Sequence, residues 1–332
     1  MGFETQDVQR KVISILRVLL DSHQPVGSRV IASRLKDLGI ELGERDVRYH
    51  LKLMDERGLT RLVTPREGRV LTDRGVQEVM SALAKDRVGF AISRIETLAL
   101  RTDFNYADQR GSIPINVSFF PRETFNEAVK IMKPIFRAGL SVSNLVAVAQ
   151  EGEMLGEVIV PQGRVGLATV CSVVINGALL KAGVPIVSRY SGILEIKNNE
   201  PFRFVELIDY SGCSLDPSDI FIRAKMTSVR EVIKSGNGRI LATYREIPAL
   251  CRPIAEQVLE ELGRAGLRGL LVMGKTSEPV CEMPIELNRV GMVLINGLNP
   301  VAAIVEAGIE VENRGMSTVM EYQNLIKFQE LS

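Results

Sequence analysis

Residues 44–75, ERDVRYHLKLMDERGLTRLVTPREGRVLTDRG, decide how the N-terminal part of this chain folds. From 44 to 57 the apolar side chains fall at Val47, Leu51 and Met54, a helical spacing, and Gly58 stands where a helix usually ends in the left-handed region. The opposite face carries Arg45, Arg48, Tyr49 and Lys52. Beyond the glycine, residues 59–63 and 69–71 are β-prone runs separated by Pro65, Arg66, Glu67 and Gly68, which predicts a hairpin with a basic tip.

Upstream, residues 7–20 place Val8, Val12, Ile15, Leu16 and Leu19 on one helical face. The run 24–28 breaks that helix, and Ser28 is expected to cap a second one, to about residue 38, that buries Val30, Ile31 and Leu35. Three helices and a basic hairpin make a winged helix-turn-helix over residues 1–75. In such a module the third helix enters the major groove of double-stranded DNA and the wing meets the backbone or minor groove. The candidate DNA contacts are therefore Arg45, Arg48, Tyr49 and Lys52 on the helix, with Arg66 and Arg69 on the wing. Tyr49 and His50 are expected to be partly packed. The alternative is that these are ordinary solvated charges, or a winged helix that contacts protein.

Charge divides in the same sense. Residues 1–75 hold 14 Lys and Arg against 11 Asp and Glu, and the remainder 27 against 29. A net of +3 is small for holding a duplex alone, so a homodimer reading two half-sites one helical turn apart is expected.

Composition excludes much else. No apolar run approaches the roughly 20 residues needed to span a bilayer, and residues 1–20 lack the features of a secretion signal, so the expected location is the cytoplasm. Cys171, Cys213, Cys251 and Cys281 stand too far apart for a metal motif or a disulfide framework. Both histidines, His23 and His50, lie in the N-terminal module, so imidazole chemistry is absent from the larger part. That part also has no Walker A loop, no GxGxxG turn and no paired-carboxylate cluster, which argues against an enzyme. A nucleic-acid-processing enzyme with an N-terminal winged helix is the alternative, and a co-regulator that binds only proteins is a third.

Residues 76–110 are expected to form a helical connector. Amphipathic stretches at 76–83 and 88–100 would be a strut or a dimerising pair, and the breaker-rich run 102–112 would mark the domain boundary.

Residues 111–328 are internally duplicated, with halves at about 113–197 and 239–323. Arg137-Ala138-Gly139-Leu140 recurs as Arg264-Ala265-Gly266-Leu267. Glu157 and Arg164-Val165-Gly166 recur as Glu282 and Arg289-Val290-Gly291; Ala182-Gly183 recurs as Ala307-Gly308, and Arg189 matches Arg314. Ile175-Asn176-Gly177 is matched to Ile295-Asn296-Gly297, which implies about five extra residues in the first half near 167–172. Strands interleaved with helices give an α/β (α+β) class, a pseudo-twofold pair sharing one core. Between the halves lie a strand at 204–210, a turn at 214–217, and a helix capped by Thr227 and ended by Gly236.

With these segments in place, the chain resembles the NrpR family of nitrogen-regulatory repressors. The resemblance rests on Leu215-Asp216-Pro217, Met226-Thr227-Ser228-Val229, Gly236-Asn237-Gly238-Arg239-Ile240 and Arg245-Glu246-Ile247-Pro248, and on the domain order, over about residues 5–328. It implies a repressor of nitrogen-assimilation operons whose hold on operator DNA is weakened by 2-oxoglutarate. Some members carry two regulatory domains in one chain; this one carries a single such domain.

A small anionic metabolite of that kind needs cationic forks, hydroxyls or free backbone N–H groups. The candidates are Thr227, Ser228, Arg245, Arg164, Asn176, Arg189, Arg289, Asn296 and Arg314. The alternative for the repeated residues is structural, with Glu157–Arg164 and Glu282–Arg289 as ion pairs and the Asn-Gly steps as turns. No cofactor and no metal are expected.

Overall fold

The structure is a computed structural model that describes residues 6–22, 24–81 and 88–331. The chain divides into two compact units, Met1–Val88 and Gly89–Ser332.

The first unit runs α1 (Gln6–Ser22), α2 (Ser28–Asp37), α3 (Glu44–Glu56), β1 (Thr60–Thr64), β2 (Gly68–Leu71) and α4 (Asp73–Ser81). Its core is made by the stripes read from the sequence: Ile15, Leu16, Leu19, Ile31, Leu35, Val47, Leu51 and Met54 are all buried. Two details differ. Gly27 is the N-cap of α2, and the Ser28 hydroxyl instead donates to the Glu44 carboxylate at 3.3 Å. Val30 is exposed, because the inward face of this short helix is made by Ile31 and Leu35, with Ala32 partly buried beside them. The wing pairs antiparallel, and Val26 exchanges both backbone hydrogen bonds with Arg69 at 2.9 and 3.0 Å. Gly68 permits that approach: its φ is +105°, and a Cβ there would strike the Val26 backbone.

The expected connector does not stand apart. Val79 of α4 is buried in the winged-helix core, and α5 (Phe90–Arg101) belongs to the larger unit. Residues 82–87 of the connector lie outside the described residues. The run 102–112, expected as a boundary, lies inside the larger unit, where Thr102 and Phe104 are buried and Asp103 N–H donates to the Ser112 carbonyl at 3.2 Å. Breaker-rich composition marks a loop there, and the loop folds back onto its own domain.

The rest of the larger unit is two copies of one path. The first half is β3 (Ser112–Pro121), α6 (Phe125–Arg137), β4 (Leu145–Ala149), a small hairpin β5 (Met154–Leu155) and β6 (Val158–Ile159), β7 (Arg164–Val170), α7 (Val173–Lys181) and β8 (Val187–Lys197). An insert follows: β9 (Glu200–Asp209), α8 (Pro217–Arg223) and α9 (Val229–Ser235). The second half is β10 (Gly238–Pro248), α10 (Arg252–Arg264), β11 (Leu270–Met273), β12 (Arg289–Ile295), α11 (Asn299–Glu306) and β13 (Glu312–Glu321), with β14 (Ile326–Lys327) after it.

The halves exchange their last strands. Among the described residues one antiparallel sheet has the order β11-β12-β10-β8-β9, and the other β13-β3-β7-β4-β14. Thus β8 of the first half completes the second half's sheet, and β13 of the second completes the first's. The short helices α7 and α11 are apolar over most of their length and correspondingly buried. Each packs on the long helix of the opposite half, α7 on α10 and α11 on α6. One hydrophobic core therefore contains residues of both halves, among them Ile113, Val174, Ile240 and Val301.

Strand pairing corrects the internal alignment. β7 and β12 are both seven residues long, and Cys171 N–H bonds to Pro114 as Asn296 N–H bonds to Leu241. Cys171 and Asn296 are therefore counterparts, with no insertion near 167–172. The two Ile-Asn-Gly triplets are not equivalent: Asn176 lies within α7, whereas Asn296 follows β12.

Candidate nucleic-acid interface and effector site

In the first unit, α3 buries Val47, His50, Leu51 and Met54 and turns Arg45, Arg48, Tyr49 and Lys52 outward. Tyr49, expected to be partly packed, is 63% exposed and meets the His50 ring edge-on at 5.6 Å. His50 is the packed member, and burial together with the nearby Lys11 charge lowers its pKa. Arg48 Nη2 lies 3.4 Å from Glu44, an exposed pair of the kind worth at most about 1 kcal/mol, so a phosphate competes for it readily.

On the wing, Arg66 is exposed at the tip. Arg69 already has an internal partner. Its Nε sits 2.8 Å from Asp55 Oδ2, both groups are more than two-thirds buried, and Asp55 also accepts from the Thr60 hydroxyl at 2.6 Å. Arg69 therefore braces the wing against α3. Arg61, outward on β1, is a cation that the sequence pattern does not single out, because a lone arginine on a five-residue strand carries no periodic signal.

In the larger unit, polar side chains from both halves and the insert converge around a cavity of about 10 Å3, room for about one water molecule. Asn116, Cys171, Ser172 and Val173 come from the first half, Tyr210, Asp216 and Ser218 from the insert, and Arg245, Asn296, Leu298 and Met316 from the second half. Cys171 and Asn296 are structural counterparts, so the cavity straddles the pseudo-twofold axis.

Arg245 dominates its electrostatics. The side chain is 1% exposed. Nη1 donates to the Ser172 carbonyl at 3.0 Å and to Asn176 Oδ1, and Nη2 donates to Ser172 Oγ at 2.9 Å, while Nε has no partner among the described residues. All three acceptors are neutral. A guanidinium buried this way, with no carboxylate against it, is costly by several kcal/mol, and burial lowers its pKa.

Asp216 supplies the opposite sign. It caps α8, with Oδ1 accepting from Ser218 N–H at 2.9 Å, yet burial raises its pKa to about 6. The Ser218 hydroxyl accepts from Asn296 Nδ2 at 2.7 Å. Burial pushes Cys171 up to about 11 and raises Tyr210 as well, so both are neutral donors at physiological pH.

Of the nine effector candidates, the structure gathers Arg245, Asn176 and Asn296 here. The others have internal partners. Thr227 is not the cap of α9; its hydroxyl donates to Glu306 at 2.7 Å, and the same carboxylate accepts from Val229 and Arg230 N–H, so the start of α9 is already taken. Ser228 Oγ accepts from Arg239 N–H at 2.8 Å. Arg189 and Arg289 both reach Glu246 Oε2, at 3.1 and 2.9 Å. Arg314 binds Glu312 and lies over the Phe119 ring. Arg164 meets Glu310 rather than Glu157, and Glu157 instead pairs with Arg101. The sequence does not single out Ser172, Tyr210, Ser218, Asn116 or Met316, since strand exchange brings them together from distant positions.

Comparison with known proteins agrees with these two units. The family model for NrpR regulatory domains NRD1 and 2 matches residues 88–327, and that for the ribonuclease R winged-helix domain matches residues 13–79. A global nitrogen regulator NrpRI of Methanosarcina mazei is 41% identical over 318 residues, 96% of this chain and 98% of that protein. Global nitrogen regulators NrpR of Methanocaldococcus jannaschii and Methanococcus maripaludis are 32% and 30% identical over 97% and 95% of this chain, which spans 56% and 55% of their length. A solved nitrogen repressor-like protein from Methanococcus jannaschii shares the fold, with a TM-score of 0.62 at 24% identity over 72% of this chain and 98% of that one. With most of its length matched by the regulatory-domain model and nearly all of it by the Methanosarcina protein, the chain belongs to the NrpR family of nitrogen regulators.

Proposed function

We propose that this chain is a cytoplasmic repressor that binds operator DNA as a homodimer and releases it when a small dicarboxylate, 2-oxoglutarate, enters the larger unit. The observation that carries the DNA half is the division of α3: Val47, Leu51 and Met54 are sealed in the core while Arg45, Arg48, Tyr49 and Lys52 face solvent. That leaves a rigid basic face on the element that winged helices place in the major groove. Arg66 extends it along the wing. A single module offers few phosphate contacts, which is why two copies acting on paired half-sites fit better than one.

For the effector, support comes from Arg245. A buried fork with neutral partners is matched by a carboxylate, which accepts from guanidinium bidentately. Ser172, Ser218, Asn116, Asn296 and Tyr210 supply further donors around the same space. A dicarboxylate is several times larger than the cavity, so it binds only an opened form of the unit. Binding one form and not the other is the differential affinity that a switch requires.

The test uses the full chain. A duplex selected by it from random sequence is bound, and Arg48→Ala with Lys52→Ala abolishes that binding without altering oligomeric state. Retention of DNA affinity by the double variant contradicts the assignment of α3.

A further inference from the structure

The cavity is walled on one side by a break in β13. Arg314 pairs with Val117 of β3, and the next paired residue, Thr318, meets Ile115. Three residues, Gly315 to Ser317, therefore stand opposite Asn116 alone. The exchanged strand of the other half behaves differently: β8 has a one-residue irregularity at Arg189, then pairs residue for residue through Tyr190, Ser191 and Gly192 with Tyr244, Thr243 and Ala242. Both exchanged strands therefore bulge near this position, β8 by one extra residue and β13 by two, and the longer bulge is the one beside the cavity.

The bulge is held under tension. Met316 has a φ of +49°, a conformation that costs a non-glycine residue on the order of 1 kcal/mol. Its N–H is tied to Asn116 Oδ1 at 3.0 Å, and Met316 lines the cavity. Gly315 is pressed against Asp216, and a Cβ there would overlap the Asp216 carboxylate. Carbonyls freed from the sheet by the break need other donors, and Arg94 of α5 supplies them: Nε donates to the Met316 carbonyl at 2.6 Å and Nη2 to the Ser317 carbonyl. On its other flank α5 is anchored by Ala91 N–H to the Cys213 carbonyl at 3.1 Å, and Ala91, Ile95, Leu98 and Met316 share one buried cluster with Cys171 and Tyr210. In the chain, α5 is the first described helix after the winged-helix unit.

Resting on the effector site proposed above, we infer that the β13 bulge is the moving wall of the Arg245 cavity and that Arg94 is the positioning residue that carries its movement into α5. An anion larger than water needs the cavity to widen, and displacing Met316 widens it. The bulge has no sheet pairing to resist that displacement. Both carbonyls gripped by one guanidinium move together, so α5 must follow or lose two charge-assisted hydrogen bonds, each stronger than a neutral one.

Full-length wild type, Arg94→Gln and Met316→Ala are compared with 2-oxoglutarate as the probe, by calorimetry, by hydrogen exchange of residues 90–101 and 312–321, and by release of a selected duplex. Wild type binds the probe, exchanges faster in both segments, and loses DNA affinity by about tenfold or more. Arg94→Gln binds the probe within about threefold of wild type, confines the exchange response to 312–321, and loses less than about twofold in DNA affinity. Met316→Ala removes the wall without touching the backbone carbonyls; it binds the probe several-fold tighter and releases DNA less. Full coupling in Arg94→Gln, or wild-type behaviour of Met316→Ala should Arg94→Gln not fold, overturns the inference and leaves the effector site standing. Failure of wild type to bind the probe overturns both.

Discussion

Arg245 of the second half grips Ser172 of the first through two hydrogen bonds, 3.0 Å to its carbonyl and 2.9 Å to its hydroxyl, with no carboxylate partner among the described residues. Strand exchange makes this meeting possible, since β10 and the loop before α7 belong to different halves. A buried cation hydrogen-bonded only to neutral oxygens is costly as a structural device, which is the ground on which the effector site is proposed.

Arg245→Met tests that distinction. Removing one member of a buried ion pair costs about 3–5 kcal/mol, because the remaining charge is stranded. Among the described residues no carboxylate is hydrogen-bonded to Arg245, and Asp216 across the cavity keeps its own cap to Ser218, so Arg245→Met should lose less than about 2 kcal/mol in denaturant titration while abolishing 2-oxoglutarate binding. A larger loss of stability would assign Arg245 to the scaffold.

Asp216→Asn should stabilise the chain at neutral pH. Burial raises the folded-state pKa from the ordinary 3.8 to about 6; neighbouring Asp219 adds to the rise, while Ser218 N–H and Arg94 oppose it. A raised acid contributes stability that is complete below about pH 4 and disappears as pH climbs through 6. Two pK units correspond to about 3 kcal/mol. Asparagine caps a helix as well as aspartate, so the variant should be more stable at pH 7.5 and nearly flat between pH 4 and 7. Equal pH dependence in both proteins would contradict the buried carboxyl.

Glu246→Ala should destabilise by about 2 kcal/mol, read from urea unfolding. It strips two arginines, Arg189 and Arg289, of a shared and almost fully buried carboxylate. Both guanidinium groups retain some solvent, which keeps the loss below that of a wholly buried pair. No change in midpoint would show that the two ion pairs are incidental.

Arg69→Ala and Arg48→Ala should fail differently. Arg48→Ala weakens DNA binding and lowers the slope of log affinity against log salt by about 0.9 for each phosphate that Arg48 neutralises. Arg69→Ala lowers the thermal stability of the first unit by roughly 1 kcal/mol by breaking the bridge to Asp55, and leaves the salt slope unchanged. Matching salt slopes for the two variants would return Arg69 to the groove.

Local pattern makes the first unit legible in the sequence. Val47, Leu51, Met54 and Gly58 state a helix and its end within fifteen positions, and the wing follows directly. The duplication is legible too, as repeated Arg-Ala-Gly-Leu and Arg-Val-Gly. Its alignment fails at Ile-Asn-Gly because identical triplets occupy a helix interior and a strand end, which only register distinguishes. Arg69 reads as a groove cation in the sequence because charge on a hairpin says nothing of what stands opposite it. The exchange of β8 and β13 leaves no local signal, since β8 meets β10 and β13 meets β3 across long stretches of chain, Ile196 with Gly238 and Glu312 with Phe119 at their nearest. Arg245 is nonetheless among the nine candidates that the sequence offers. Its neighbours in the cavity need the fold.

Coupling between an anion in the larger unit and DNA held by the first is the central claim, and one titration reads it. Full-length protein is bound to a fluorescent duplex selected from random sequence, and 2-oxoglutarate is added while anisotropy and calorimetry are followed together. Binding heat with an accompanying loss of DNA affinity of about tenfold or more is the expected result. Saturation of the protein with 2-oxoglutarate while the duplex stays bound at unchanged affinity would contradict the account.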